Sequence, residues 1–258
     1  MTAPNRPTTR LCTHDTESIT VRGADLVDEL IGELTFTEMT YFAITGRRPT
    51  RAETRILDAV LVTLMEHGLT PSAIAARMVY ASTPETLQAG VSAGLLAVGS
   101  VFVGTMEGCA ALIERMLSSS DPQAEARAIA GEHRTARKPV PGFGHHMHKP
   151  DDPRTPKLFS VALAEGVSGD HISALRTLSG AVDECFGKHL TINATGAIAA
   201  LLGEIAIPAS VMRGVAVVSR SAGLVAHIAE EQRQPSMRYM WELVEDGVPY
   251  DATPEPRD

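Results

Sequence analysis

Aromatic residues are scarce in this 258-residue chain, which has one tryptophan, four tyrosines and six phenylalanines, 4% in all. β-Sandwiches draw on Tyr, Phe, Trp and Thr in alternation, so the shortage argues against them. The apolar 44% is mostly Ala, Leu, Val and Ile, which suits close-packed helices. Positive charge is short as well: 23 Lys and Arg face 31 Asp and Glu, a formal net charge of −8. No nucleic-acid partner is expected, because phosphate contacts need clustered Lys and Arg. An anionic ligand must then find a locally basic site on an acidic background. Cysteine is limited to Cys12, Cys109 and Cys185, with no CxxC spacing. Three thiols cannot all pair, and they fit a reducing, cytoplasmic location. The N-terminal MTAPNRPTTRLCTHDTES has no apolar leader core, so secretion is not expected. Residues 89–106 carry no charge over nearly the length of a membrane span. Gly90, Gly94, Gly99, Gly104 and two serines interrupt them without flanking anchors, so a buried helix pair is expected and no membrane.

What is present is helix signal. Thr35 with Glu38, and Thr50 with Glu53, are capping boxes. The first helix stops at Gly46. The second, with Ile56, Leu57, Val60, Leu61 and Leu64 on one face, ends at His67-Gly68. Further helices are predicted over 24–31, 72–80, 121–137, 156–165, 170–186, 192–202 and 208–231, with Thr83-Pro84-Glu85 opening the glycine-dotted one. Residues 18–23 give the one convincing β signal; 1–18 read as an arm and 248–258 as a Pro/Asp-rich tail. The expectation is an all-α globule of about ten helices.

Chemistry concentrates in Gly142-Phe-Gly-His-His-Met-His-Lys-Pro-Asp-Asp-Pro-Arg154. Pro141, Gly142 and Gly144 let the backbone approach a ligand closely ahead of His145. Pro153 fixes the backbone beside Arg154, whose forked guanidinium suits a carboxylate; a salt bridge with Asp151 or Asp152 is the plain alternative. His145, His146 and His148 could hold Zn or Ni, but no cysteine or second ligand cluster lies nearby in sequence, and no metal is expected.

Seven positions of this segment, Gly142, Gly144, His145, Lys149, Asp152, Pro153 and Arg154, match the loop G-[FY]-G-H-x-x-x-K-x-x-D-P-R, and the chain thereby resembles the citrate synthase superfamily. Other segments agree in order. Glu66-His67-Gly68 stands where the family has its first substrate-binding histidine, and Asn193-Ala-Thr195-Gly196 where it has N-V-D. Arg220 to His227 resembles R-x-x-G-x-x-A-H, and Arg233-Gln234-Pro235 resembles an R-x-P element that reaches a neighbouring subunit's site. The chain most resembles the short citryl-CoA lyase module, as in the C-terminal part of ATP-citrate lyase. The resemblance implies a citrate synthase-like fold over 1–258: a large helical domain, a small helical lobe at about 145–220, and an active site between them.

It also implies an acyl-CoA thioester and a di- or tricarboxylate as ligands, and coenzyme A or acetyl-CoA as substrate. The reaction would be cleavage of citryl-CoA, or of a related 3-hydroxyacyl-CoA, to acetyl-CoA and a 2-oxo acid such as oxaloacetate, or the reverse condensation. A homodimer or higher oligomer is expected. His145 would take the hydroxyl proton in cleavage. Arg154, Arg220 and Arg233 would hold carboxylates bidentately, with His67 and Asn193 also on the substrate. Pro141, Gly142, Phe143 and Gly144 would offer backbone groups to the CoA adenine, and Lys138 would meet its phosphates. The bland readings are a C-terminal dipole partner for His67, a solvated charged run for Arg233 and a structural role for His227. Two catalytic positions depart from the family. Phe102 replaces the histidine at the enolate oxygen. Thr195 replaces the aspartate that moves a proton at the acetyl carbon, for which Glu107, Asp183 and Glu184 are candidate substitutes. A protein that binds CoA esters or tricarboxylates without turnover is the alternative.

Overall fold

The structure is a computed structural model that describes residues 7–99, 104–145 and 147–251. Phe102 and His146 lie outside the described residues. The chain is all-α apart from a small antiparallel sheet near its start: β1 (Cys12–His14), β2 (Ile19–Val21) and β3 (Ala24–Asp25). The helix predicted over 24–31 is cut to a π-helical turn over Leu26–Leu30, because Ala24 and Asp25 belong to β3. Arg22 and Gly23 both take left-handed φ, 52° and 88°, and turn the chain so that Ala24 pairs with Val21. Positive φ at both central residues is the two-residue hairpin geometry. Asp25 then caps a π-helical turn, Leu26–Leu30, by accepting from Val27 N and Asp28 N. Val21, Ala24, Leu30 and Phe42 form a cluster under this hairpin.

The helices are α1 (Phe36–Thr45), α2 (Arg51–Met65), α3 (Pro71–Ser82), α4 (Leu87–Leu96), α5 (Thr105–Leu117), α6 (Pro122–Thr135), α7 (Arg154–Ala164), α8 (Asp170–Phe186), α9 (Ala194–Glu204), α10 (Met212–Glu231) and α11 (Met237–Gly247). Both capping boxes form. Thr35 and Glu38 exchange side-chain and backbone bonds, as do Thr50 and Glu53. Thr83-Pro84-Glu85 does not open α4, because Thr83 N and Oγ1 bond back to Val79 O and close α3 instead. α11 was not anticipated.

The chain divides into two compact units: the described parts of 1–63 with 103–215, and of 64–102 with 216–258. In the first unit α9 is central. Eight of its eleven residues are buried, and it packs against α5, α7 and α8. That burial follows from its composition, ATGAIAALLGE, small or aliphatic on every face. Tyr41, buried on α1, donates its hydroxyl to Ile205 O just past α9. In the second unit α3 and α4 pack closely, and Ser72 Oγ donates to Gly94 O at 2.6 Å. A Cβ on Gly94 would lie 2.6 Å from Leu224 Cδ1 of α10, which explains the glycine. Residues 209–231 are the one described helical stretch long and apolar enough to cross a membrane, and half of the window is buried within the protein.

Candidate active site

The loop 141–154 is built by stitching it to the segment that leads into α9. Gly144 N donates to Thr191 O at 2.8 Å, Asn193 N to Gly142 O at 3.0 Å, and Phe143 bridges Ile192. Gly142 has φ +86°, and a Cβ there would meet Cys109 Sγ at 2.6 Å, so glycine is required on two counts. A Cβ on Gly196 would lie 2.5 Å from Gly142 O, so the loop rests on the first turn of α9. Much of the backbone of Gly142, Phe143 and Gly144 thus serves the loop's own shape; the carbonyls of Gly142 and Gly144 each keep a second lone pair.

Asp152 anchors the far end. It is fully buried and accepts from Ala194 N at 3.0 Å, Arg154 N at 3.1 Å, Arg154 Nε at 2.9 Å and Arg154 Nη2 at 2.7 Å. Its own N donates to Thr191 Oγ1. Burial alone would raise the Asp152 pKa, but the Arg154 guanidinium and the backbone N–H donors overcome this and lower it to about 2. Arg154, the first residue of α7, has one edge of its fork committed to Asp152, and its Nη1 makes no hydrogen bond among the described residues.

His145 Nδ1 accepts from Met147 N at 3.1 Å and His148 N at 3.0 Å. These bonds assign the tautomer: the neutral ring carries its proton on Nε2. In its neutral form His145 then presents Nε2–H. The His148 ring lies 4.4 Å away, centroid to centroid. Asn193 caps α9 through Oδ1 to Gly196 N and donates Nδ2 to Gly144 O. Thr195 Oγ1 gives its proton to Asn193 Oδ1 at 2.7 Å, so Thr105 Oγ1, 2.8 Å away, is the donor to Thr195. Of the acids named as substitutes, Glu107 pairs with Arg213 at 2.5 Å, Asp183 pairs with His189, and Glu184 is exposed.

Beside His145 is a cavity of about 310 Å³ lined by His145, His148, Lys149, Lys188, His189 and the Gly144 backbone, among others. His189 bridges Asp183 Oδ2 at 2.6 Å and Asp151 Oδ1 at 3.0 Å, and these two carboxylates, Asp183 first, raise its pKa. Lys149 and Lys188 bring positive charge to this cavity, while both nitrogens of His189 are held by the Asp183 and Asp151 carboxylates. Sequence reasoning missed Lys188 and His189 as site residues. Their signal was Gly187-Lys188-His189 at the close of α8. Lys138 is exposed after α6, outside the lining described for the cavity.

In the second unit His67 follows α2 and is exposed. Arg220 sits on α10 with Nη1 buried and unpartnered among the described residues, and burial lowers its pKa. The Glu66 carboxylate opposes that shift, and the Nη1 donor left without a hydrogen bond could serve an anion. Arg233 is exposed in the turn after α10.

The fold and these groups define a helical protein with a histidine-bearing loop and arginines on α7 and α10. The model of the citrate synthase C-terminal domain matches residues 21–240, and the chain belongs to the citrate synthase family. Citryl-CoA lyase from Hydrogenobacter thermophilus superposes with a TM-score of 0.86 at 34% identity, covering 97% of this chain and 96% of that one. ATP citrate lyase from Methanothrix soehngenii, solved with citrate and coenzyme A, shares the fold at a TM-score of 0.81 and 19% identity, over 99% of this chain and 43% of that one. Citrate synthase from Haloferax volcanii is 27% identical over 218 residues, 81% of this chain and 56% of the relative. The chain spans about half the length of the curated relatives it matches.

Proposed function

We propose that the chain is a cytoplasmic, CoA-dependent carbon–carbon lyase or synthase of the citryl-CoA lyase type. The observation that carries this reading is His145, held by two backbone N–H donors so that Nε2–H is presented, beside a cavity that Lys149 and Lys188 help to line. Lys149 and Lys188, which line the cavity, would meet the CoA phosphates alongside the Lys138 candidate. Arg154 in the first unit, and Arg220, Arg233 and His67 in the second, are each candidates for a carboxylate of the acid. His145 Nε2–H would face the oxygen that is hydroxyl in citryl-CoA and keto in oxaloacetate, stabilising its negative charge as the carbon–carbon bond breaks or forms. The hydroxyl gives its proton to water, the bond's electron pair leaves as the thioester enolate, and the enolate takes a proton back from water at carbon. No further reactant is consumed. Thr195, its one proton given to Asn193, orders the start of α9 and does not carry that proton.

Citryl-CoA with malate dehydrogenase as the coupling enzyme should report oxaloacetate release. His145→Gln should lower kcat by about 10²–10³, the effect of losing one such donor. No release from citryl-CoA or other 3-hydroxyacyl-CoA thioesters, with CoA binding intact by calorimetry, would favour the second reading: a binding protein without turnover, for which the Thr195 substitution speaks.

The oligomer expected of this reading has a physical basis in α11. Tyr239, Trp241, Leu243 and Val244 are each more than half exposed, as are Val248 and Tyr250 beyond it. That much apolar surface on one helix and its extension calls for a second subunit. Light scattering should give a dimer or larger, and Trp241→Glu should shift it toward the monomer. A wild-type monomer at tens of micromolar would refute this.

A further inference from the structure

The end of α2 and the middle of α10 share a polar network that the roles above leave unused. Glu66 Oε1 accepts from His67 N at 2.8 Å and from Gly68 N at 2.6 Å. Its other oxygen stands 2.9 Å from His227 Nε2. The N–H does not point squarely at that oxygen, so this is a close polar contact rather than an aligned hydrogen bond. Behind His227, Arg77 places Nε 3.1 Å and Nη2 2.9 Å from Nδ1. Arginine cannot give up its charge, so it donates, and Nδ1 accepts; the proton of neutral His227 is then on Nε2, facing Glu66. Arg77 is 3% exposed and is itself fixed by Glu231 at 2.9 Å and by Glu230. Burial would raise the Glu66 pKa, but His227 and the two amides outweigh it and hold the carboxylate ionised below its usual range.

We propose that Glu66 and His227 are positioning residues for His67. The carboxylate clamps the backbone of His67 and Gly68 and so sets the direction of the imidazole. His227, its tautomer fixed by Arg77, holds the carboxylate in place. Gly223 completes the arrangement, since a side chain there would strike Met65 O and reach within 3.2 Å of Glu66 Oε2. A charged clamp is required because Glu66 must accept two amide bonds and face a donor from α10 at once. Glutamine can do the first but would meet His227 Nε2–H with its own amide N–H whenever its oxygen caps the turn.

The inference rests on reading His67 as a substrate-binding group, and the test separates the two. Amide resonances of His67 and Gly68 are followed by NMR in wild type, Glu66→Gln, Glu66→Ala and His227→Ala, alongside steady-state kinetics with citryl-CoA and calorimetry with CoA. Glu66→Ala should move both amides upfield and raise KM for citryl-CoA about tenfold, with kcat within about twofold and CoA affinity unchanged. His227→Ala should shift the same two amides less and raise KM less. The double variant should be no worse than Glu66→Ala alone, because His227 acts through Glu66. Glu66→Asp should recover part of the loss. Unmoved amides in Glu66→Ala, or amide shifts that add in full in the double variant, would overturn the proposal whether or not the protein turns over. Moved amides with unchanged KM in an active enzyme would keep the clamp and sink the substrate role of His67.

Discussion

Asp152→Ala should destabilise the protein by about 3–5 kcal/mol, the range for removing one partner of a buried, hydrogen-bonded ion pair. The carboxylate is fully buried and accepts four bonds, two from the Arg154 side chain and two from backbone N–H groups. Alanine would leave the Arg154 fork half-buried without its counter-charge and would strand Ala194 N at the start of α9. Asp152→Asn keeps the shape but can satisfy the guanidinium with only one oxygen, so a smaller loss of about 2–3 kcal/mol is expected. The pH dependence follows from the direction of the shift. The folded-state pKa is about 2, below the reference 3.8, so the charged form is favoured by folding. This contribution is complete above pH 4 and disappears as pH falls through 4 toward 2. Urea titrations at pH 7 and pH 3 should show the wild-type advantage over Asp152→Asn shrinking at the lower pH. A constant difference would mean that Arg154 does not hold Asp152 as described.

Asp152 also shows where sequence reading ran short. His145, Arg154 and Asn193 were legible because each belongs to a local motif whose spacing is visible along the chain. The reason Arg154 is half committed was not, because the framework around Asp152 comes from Thr191 and Ala194, about 40 residues away. The same holds for Lys188 and His189. They join the loop only once Asp151 and Asp183 bridge the imidazole. Helix starts at Thr35 and Thr50 were readable because a capping box is closed within four residues. The hairpin at Arg22-Gly23 was not, since arginine at positive φ is held by tertiary contacts: its guanidinium donates to Ala43 O. α11 was legible in principle, since Met237, Met240, Trp241 and Val244 recur at helical spacing, and it was passed over beside the Pro/Asp-rich tail. The His145 tautomer was beyond sequence altogether, as it depends on two amides from the turn that follows.

The other large effect concerns two glycines on one helix. Gly223→Ala should be strongly destabilising and Gly214→Ala stabilising, although both lie within α10. At Gly223 a Cβ would sit far inside contact distance of Met65 O, a backbone atom that cannot swing aside as a side-chain tip would. Relief requires α10 and the end of α2 to part locally, at a cost of about 1–3 kcal/mol, the range of overpacked sites. The strain falls on Met65 and hence on Glu66 and the His67 turn. On the proposed function, whatever protein survives should bind a carboxylate ligand more weakly while any affinity for CoA stays near wild type. At Gly214 nothing lies within 4 Å of the added methyl group, and the backbone is helical. Only the helix propensity difference remains, a gain of about 0.5–1 kcal/mol. Melting curves of the two variants should therefore move in opposite directions from wild type. If Gly223→Ala melts at the wild-type temperature, α10 does not approach the end of α2 as closely as the structure has it, and the clamp on His67 loses its support.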